Sequence, residues 1–287
     1  MNKLFGTGVA LVTPFTTTGA VDYAAWQRLL DFTIAGGAEY LVINGTTGES
    51  PTTTADEKAE LLRTAKAHVA GRVPLVYGIG GNDTTAVARQ LREVDLAGIT
   101  AILSASPAYN KPSQAGLLAH YRHLADAAPL PLLLYNVPGR TGSNVAAATV
   151  LQLAEHPNII GIKEASGNLE QCLQILAKKP ADFLFLSGDD MLTVPLVACG
   201  AAGIITVLGN AFPQRFSDMT RAALAGDYAR AQRELWYFVG LNPLMYEEGN
   251  PVGVKAALAL QGICEPAVRL PLVPASEGLT ARIKELL

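Results

Sequence analysis

The chain has 287 residues, of which 49% are hydrophobic and 16% are charged, and its formal net charge is −3. This length exceeds that of most single domains, and the apolar content can fill a large core. The sequence has no Lys/Arg run and no apolar run long enough to cross a bilayer, so neither a nucleic acid nor a membrane is expected as a partner. The N-terminus lacks signal-peptide features, and the three scattered cysteines without a CxxC motif are typical of a reducing compartment. We therefore expect a cytoplasmic protein.

Apolar runs that resemble buried β-strands recur along the chain and alternate with segments of helical periodicity. The predicted strands cover residues 8–14, 40–44, 74–79, 100–104, 132–136, 159–164, 183–187 and 203–207. The predicted helices between and after them cover residues 23–35, 55–69, 84–97, 114–127, 146–154, 169–177, 191–199 and 213–225. This alternation predicts a parallel sheet, and eight such units can close into a (β/α)8 TIM barrel of the α/β class.

The alternation stops after Gly226. Three further segments have helical periodicity without strands between them, at residues 228–246, 251–260 and 276–286. Closing a barrel does not require them. The sequence thus predicts a catalytic barrel at residues 1–226 and a C-terminal helical appendage at residues 227–287.

Polar groups follow several of the predicted strands, and chemistry in such barrels lies at the carboxyl ends of the strands. These groups occur in the segments 45–50, 106–110, 135–141 and 187–190 and at Lys163. Hydroxyls, phenols, an arginine and one lysine are therefore expected to converge on one rim of the barrel.

Lys163 ends the apolar strand at residues 159–164. Lysine is rarely buried without a partner or a purpose, and burial of an ammonium group favours its neutral form. A neutral amine can attack a carbonyl carbon and form a Schiff base. The alternative is a lysine at a strand end that extends into solvent or pairs with Glu164.

A Schiff-base lysine needs hydroxyls that relay protons, and Tyr135 is expected beside it because the two lie at the ends of consecutive strands. A buried phenol with a purely structural role is the alternative. The Gly45-Thr46-Thr47-Gly48 segment predicts a tight turn whose N–H groups and hydroxyls could hold a carboxylate, or an ordinary connection. Arg140 could bind a second carboxylate, or could simply be an exposed loop residue.

Other chemistries have less support in the sequence. The four histidines, at positions 68, 120, 123 and 156, fall on predicted helices or their ends, whereas a metal-dependent hydrolase or aldolase would need ligands at strand ends. The glycines at residues 78–81 lack the spacing of a dinucleotide-binding loop. The G-x-S-x-G motif of serine hydrolases is absent from the sequence.

The motifs GTTGES at residues 45–50, YNVPGRTG at 135–142, GIKEA at 161–165 and SGDD at 187–190 together resemble the dihydrodipicolinate synthase family. This family belongs to the class I pyruvate-dependent aldolases. The resemblance extends over essentially the whole chain, including NPVGVK and RLPLVP near its end. It implies a lyase of lysine and diaminopimelate biosynthesis that condenses pyruvate with L-aspartate-4-semialdehyde and needs no metal or organic cofactor.

The resemblance also implies roles for individual residues. Lys163 would form the Schiff base with pyruvate, and Thr46, Tyr135 and Tyr109 would relay protons. Tyr109 would reach in from a neighbouring subunit, which implies a homodimer, commonly within a homotetramer that is a dimer of dimers. The remaining implied residues bind substrate: Thr47 the pyruvate carboxylate, Gly188 and Ile205 the pocket through their backbone, and Arg140 the carboxylate of the semialdehyde.

Lysine-inhibited members of the family bind lysine at a subunit interface through histidines, a glutamate and a tandem tyrosine. This chain has Ala55, Lys58, Ala86 and Ala108 at those places and retains Asn82. A cationic Lys58 and the missing carboxylate should repel the ε-ammonium of lysine. The sequence therefore predicts weak or no feedback inhibition by lysine, and Ala108 makes the placement of Tyr109 harder to predict.

Two other functions are weighed against the synthase. A related aldolase could act on a 2-keto-3-deoxy acid or on N-acetylneuraminate, but those enzymes usually lack the arginine of the YNVPxRT motif. A catalytically idle barrel could bind a small molecule, but it would not need Lys163, Tyr135, Thr46 and Tyr109 together.

Overall fold

A closed barrel of eight parallel strands forms the centre of the molecule in a computed structural model that describes residues 4–287. The strands are β1 (Gly6–Ala10), β2 (Tyr40–Ile43), β3 (Leu75–Gly78), β4 (Ala101–Ala105), β5 (Leu132–Asn136), β6 (Ile159–Glu164), β7 (Leu184–Ser187) and β8 (Gly203–Thr206). Each strand pairs with the next along the chain, and β8 pairs with β1 to close the barrel. The predicted (β/α)8 TIM barrel is confirmed.

Helices surround the barrel and continue beyond it. They are α1 (Tyr23–Ala35), α2 (Ala55–Val69), α3 (Thr84–Glu93), α4 (Gln114–Ala127), α5 (Pro138–Thr141), α6 (Ala147–Leu153), α7 (Leu169–Leu176), α8 (Thr193–Ala198), α9 (Pro213–Leu224), α10 (Tyr228–Leu244), α11 (Val252–Leu260) and α12 (Glu277–Glu285). Side chains cap several N-termini; at α2, for example, Thr54 and Glu57 form the reciprocal pair that the sequence predicts. Within the described residues, none of these helices combines the length and the apolar character needed to span a bilayer.

The first strand differs from its prediction. It begins at Gly6 and ends at Ala10, whereas the apolar run predicted residues 8–14. Beyond Ala10, the N–H of Val12 donates to the side chain of Asn210 rather than to a neighbouring strand. Pro14 has no N–H to donate, so the ladder cannot continue through it.

Two helices are shorter than predicted by three or more residues, and one is new. Helix α3 ends at Glu93 rather than at residue 97, because Asp95 accepts a hydrogen bond from the N–H of Ala97 and so forms a turn. The segment predicted as a helix at 191–199 begins with a 3-10 turn at Asp190–Leu192, which precedes α8. The one-turn helix α5 was not predicted, and it carries Arg140.

Side chains alternate between the two faces of the barrel wall, as strand geometry requires. In β2, Tyr40 and Val42 pack inside the barrel, whereas Leu41 and Ile43 pack against the helices. In β5, Leu133 and Tyr135 pack inside the barrel. They pair with Gly161 and Lys163 of β6. Lys163 is therefore the inward residue and Glu164 the outward residue at the end of β6.

The C-terminal helices pack directly on the barrel helices. Helix α10 lies against α8 and α9, and α12 lies against α10 and α11. The ring of Phe238 in α10 packs against that of Phe216 in α9 at a tilt of 47°, and both belong to the same hydrophobic cluster as the outer face of the barrel. The hydrophobic cluster thus contains residues from both sides of position 226, where the sequence predicts the end of the barrel unit. The division of the chain into a barrel and a C-terminal appendage stays a prediction.

Candidate active site

Lys163 and Tyr135 lie side by side at the carboxyl end of the barrel. They are partners in the register between β5 and β6, and the ammonium nitrogen of Lys163 lies 4.4 Å from the centre of the Tyr135 ring. Both residues are buried, and Lys163 is only 4% exposed. The expected pairing of the lysine with a phenol is present, and two rigid neighbouring strands fix it.

Gly188 leaves room for the lysine side chain. A Cβ atom at this position would lie 2.6 Å from the Cβ of Ala165 and 3.1 Å from Cε of Lys163. The N–H of Gly188 donates to the carbonyl of Glu164 over 2.7 Å, so the strand end is held close as well. A side chain at residue 188 would therefore collide with Ala165 and press on the end of the Lys163 side chain, and glycine suits this position because it has no side chain.

Glu164 does not pair with Lys163, because it lies on the other face of β6. Its carboxylate is 1% exposed and accepts hydrogen bonds from the Asn136 side chain over 2.9 Å, from the Gln171 side chain over 3.0 Å and from the N–H of Ser166 over 2.7 Å. The structure thus excludes the interpretation of Lys163 as half of an ion pair with its neighbour. The network also ties the end of β5 to the end of β6.

Lys163 opens into a cavity of about 500 Å³ at this rim. Barrel residues line one side of the cavity, among them Thr47, Tyr135, Arg140, Gly188 and Val207. The other side comes from the C-terminal segment, through Asn242, Tyr246, Gly249 and Asn250. The lining is polar at several points around one amine, which suits a small polar carbonyl substrate.

The threonine pair lies on a single 3-10 turn, Thr46–Gly48, immediately after β2. The N–H of Gly48 donates to the carbonyl of Gly45, and the N–H of Glu49 donates to the carbonyl of Thr46, each over 3.1 Å. Thr47 is buried and lines the lysine cavity. The predicted tight turn is present.

Asn250 reaches this turn from the C-terminal segment. Its side-chain nitrogen donates to the hydroxyl of Thr47 over 3.1 Å, and among the described residues no donor reaches its buried Oδ1. Residue 250 was not singled out from the sequence, since nothing in the NPVGVK segment indicates by itself that it faces the barrel rim. It is the most direct contribution of the C-terminal segment to the cavity.

Arg140 belongs to α5, which follows β5 directly. It is exposed and lines the lysine cavity, so it is available to a substrate bound there. The N–H groups of Arg140 and Thr141 donate to the carbonyl of Val137, which holds the turn against the strand end. Its position suits recognition of a carboxylate on a second substrate.

A second cavity, of about 250 Å³, lies on the other side of Tyr135. Thr46, Ser50, Lys58 and Gln90 line it together with the Tyr135 ring. Burial lowers the pKa of the Lys58 ammonium below its usual value, with the Glu57 carboxylate opposing this effect. Among the described residues, Tyr135 is the one that lines both cavities, whereas Thr46 lines the second cavity alone.

Three predicted site residues do not line the lysine cavity: Thr46, which lines the second cavity instead, Tyr109 and Ile205. Tyr109 is 91% exposed, with a left-handed φ of 68°, on the loop after β4. Its N–H donates to the carbonyl of Thr141, so the exposed ring is carried on a braced loop. Ile205 is fully buried among the inward residues of the barrel, below the rim at which Val207 lines the cavity.

The match to known proteins covers nearly the whole chain. Residues 3–287 match the model of the dihydrodipicolinate synthetase family. This chain belongs to that family. Within the described residues, no three His, Cys, Asp or Glu side chains are grouped so that they could hold a metal ion.

Individual members of the dihydrodipicolinate synthetase family are similar in sequence and in structure. The 4-hydroxy-tetrahydrodipicolinate synthase of Cytophaga hutchinsonii is 51% identical, over 99% of this chain and 96% of that protein. The chloride-inhibited dihydrodipicolinate synthase of Acinetobacter baumannii, solved in complex with pyruvate, superposes with a TM-score of 0.95 at 34% identity, over 99% of this chain and 97% of that chain. The Cyanidioschyzon merolae enzyme, solved with lysine bound, has a TM-score of 0.93 at 38% identity, over 98% and 97%.

Proposed function

We propose that this protein is a 4-hydroxy-tetrahydrodipicolinate synthase, which condenses pyruvate with L-aspartate-4-semialdehyde in lysine and diaminopimelate biosynthesis. The observation that supports it most strongly is the placement of Lys163, buried beside Tyr135 in a polar cavity that Arg140 also lines. Full-length similarity to proteins of that name agrees with it. A related aldolase for 2-keto-3-deoxy acids or N-acetylneuraminate would have less use for Arg140.

In the first half of the reaction, Lys163 attacks the carbonyl carbon of pyruvate while Thr47 and its turn hold the carboxylate. Proton transfer through Tyr135 and Thr46 lets the carbinolamine lose water and form the imine. The imine withdraws electrons, so the pyruvate methyl group loses a proton and becomes an enamine. These steps need no metal or organic cofactor.

In the second half, the enamine carbon attacks the aldehyde carbon of the semialdehyde, whose carboxylate Arg140 holds. The aldehyde oxygen takes a proton and becomes a hydroxyl group. The amine of the semialdehyde then attacks the imine carbon, which closes the ring. The Lys163 amine is expelled from the same carbon and is free again. Gly188 and Ile205 contribute the neighbouring backbone of the pocket in this proposal.

The first experiment measures pyruvate consumption by the purified protein, with and without the semialdehyde and with no added metal. We expect rapid loss of pyruvate only when the semialdehyde is present. Borohydride reduction with pyruvate alone should attach its three-carbon unit to Lys163. Cleavage of a 2-keto-3-deoxy acid, together with no consumption of pyruvate in the presence of the semialdehyde, would instead favour the related aldolases.

Arg140→Ala separates the two substrates. We expect the KM for the semialdehyde to rise by about thirtyfold, the loss of about 2 kcal/mol from a charge-assisted contact, while borohydride capture of pyruvate is unchanged. Equal effects on both substrates would argue against the proposed role of Arg140.

We further propose a homo-oligomer, a tetramer made of two dimers, in which Tyr109 acts in the site of a neighbouring copy. The exposed ring on a braced loop supports this arrangement. A mixture of Lys163→Ala and Tyr109→Phe subunits, refolded together, should recover activity because one composite site keeps both intact residues. No recovery in demonstrated mixed dimers would place Tyr109 outside the relay.

A biosynthetic role and three free cysteines agree with our proposal of a cytoplasmic location.

A further inference from the structure

Glu49 ends the threonine turn with a buried charge. Its backbone is left-handed, with φ 54°, and its side chain is only 3% exposed. The carboxylate accepts hydrogen bonds from the ammonium of Lys255 over 2.5 Å and from the N–H of Arg269 over 3.0 Å. Both partners belong to the C-terminal segment, so this barrel loop is held from outside the barrel.

Lys255, on helix α11, is fully buried. Besides Glu49, its ammonium donates to the carbonyl of Ala267 over 2.8 Å and lies 4.2 Å from the centre of the Phe15 ring. An ammonium group with no hydration needs such partners, and so does a buried carboxylate. Each charge therefore keeps the other in place, and removal of one leaves the other unpaired in the protein interior.

The chain connects this pair directly to the two threonines. The N–H of Glu49 closes the turn on the carbonyl of Thr46, and the carbonyl of Glu49 accepts from the N–H of Thr52. On the other side of the turn, Asn250 donates to the hydroxyl of Thr47. Residues 250 and 255 thus hold the turn at both ends, one through a hydroxyl and one through a carboxylate.

We propose that Lys255 is a positioning residue for pyruvate binding, acting through Glu49 to hold Thr46 and Thr47 at the distance that Lys163 requires. The proposal rests on the function proposed above, since it assigns the turn to the substrate carboxylate and to proton relay. Lys255 itself touches neither the cavity nor the substrate. Glu49 has a strained, left-handed backbone, and Lys255 holds its carboxylate. A displacement of that carboxylate would therefore also move the backbone of the turn.

The test is Lys255→Met, which keeps the length of the side chain and removes its charge. We expect kcat/KM for pyruvate to fall by about a hundredfold, the loss typical of a catalytic group misplaced by about 1 Å. Borohydride capture of pyruvate on Lys163 should require correspondingly higher pyruvate. The KM for the semialdehyde, whose carboxylate is assigned to Arg140, should change much less.

A matched control separates positioning from stability. Leu279→Ala removes a fully buried side chain from α12, in the same C-terminal segment, without touching Glu49. We expect its Tm to fall while kcat and both KM values stay within about twofold of the unmutated protein. Kinetic values of both variants are taken well below their Tm.

Glu49→Gln provides a second measurement if Lys255→Met does not fold. This substitution keeps the shape of residue 49 and an oxygen that can accept from the N–H of Arg269, but it removes the charge that pairs with Lys255. The KM for pyruvate should therefore rise. Unchanged pyruvate kinetics in a folded Lys255→Met or Glu49→Gln protein would overturn the positioning role. That result is distinct from failure of the proposed function, in which the unmutated protein would not turn over the two substrates.

Discussion

The two halves of the lysine cavity are held in different ways. Lys163 and Tyr135 lie on adjacent strands, and the β5–β6 ladder together with the outward Glu164 network fixes their separation. Every partner in that arrangement comes from the barrel units that contain the two residues. This half of the site is a direct product of the barrel.

The threonine turn depends on residues far away in the chain. Thr47 contacts Asn250, and Glu49 contacts Lys255 and Arg269, across separations of 203, 206 and 220 residues. None of these partners belongs to a strand of the barrel. The comparison teaches that the proposed nucleophile is placed by local strand geometry, whereas the turn proposed to bind the substrate carboxylate is held by a distant segment.

The largest effect is expected from removal of Lys163, the proposed nucleophile, in the strand half. Lys163→Ala should lower kcat by about 10⁴-fold or more, because the covalent route is lost. The far-ultraviolet circular dichroism should be unchanged, since a smaller side chain in an existing cavity leaves the ladder intact. Appreciable turnover in this variant would mean that the strand half does not carry the chemistry.

Asp190 joins the strand half at the next two strands. Its carboxylate, 2% exposed, accepts from the N–H groups of Val207 and Leu208, which connects the end of β7 to the turn after β8. Burial raises its pKa from 3.8 to about 6, with the backbone N–H of Leu208 opposing this effect. The folded protein therefore binds this proton more tightly than the unfolded chain does.

A raised carboxyl pKa gives a defined sign for stability. Between pH 4 and pH 6 the folded state holds a proton that the unfolded state has lost, so the Asp190 contribution to the free energy of unfolding decreases as the pH rises. At about 1.4 kcal/mol per pKa unit, a shift of about 2 units amounts to about 3 kcal/mol. Asp190→Asn cannot ionise, and a small part of the loss already occurs below pH 4, so relative to the unmutated protein it should be about 2 kcal/mol more favourable at pH 8 than at pH 4. Urea unfolding at both pH values measures this difference, and no difference would show that Asp190 ionises normally.

Glu164→Gln sharpens the comparison by weakening the outer support of the strand half. Whichever way the new amide turns, its NH2 group faces at least one of the donors that Glu164 now accepts. We expect a loss of about 2 kcal/mol in the free energy of unfolding. Glu170→Gln, on the exposed start of α7, is the matched control and should change stability by less than about 0.5 kcal/mol. Similar values for the two variants would contradict the role of the network.

The smallest effect is expected from added lysine. Lys58 lines the second cavity, and no carboxylate is among the described residues that line it, so this cavity offers the amino acid a cation instead of a carboxylate. Initial rates at saturating pyruvate should be unchanged by lysine in the low millimolar range. An inhibition constant in the sub-millimolar range would contradict this prediction.

The strand half could be predicted in detail from the sequence. Alternating and continuous apolar runs indicated all eight strands, and β5 and β6 were predicted with the bounds that they have. Consecutive parallel strands are neighbours, so Tyr135 and Lys163 had to meet. Even the outward direction of Glu164 follows from strand alternation, although the sequence left open its pairing with Lys163.

The turn half could be predicted only in part. The glycines and threonines of residues 45–48 indicated a turn, but no periodicity relates that turn to Asn250 or Lys255. Helix α11 is apolar nearly all round, so the single charged residue within it could be recognised as buried but not matched to its carboxylate. Tertiary packing decides such pairs, and for this reason the C-terminal segment looked unnecessary.

The separation between Glu49 and Lys255 also has a consequence for synthesis of the protein. Glu49 leaves the ribosome 206 residues before its partner, which at 5–20 residues per second is a delay of about 10 to 40 s. Only over the last 92 residues of this interval, about 5 to 20 s, does the nascent chain contain Lys163 while it still lacks the cation that anchors the turn. If Lys255 has the positioning role proposed above, the site is expected to bind pyruvate only once translation is almost complete.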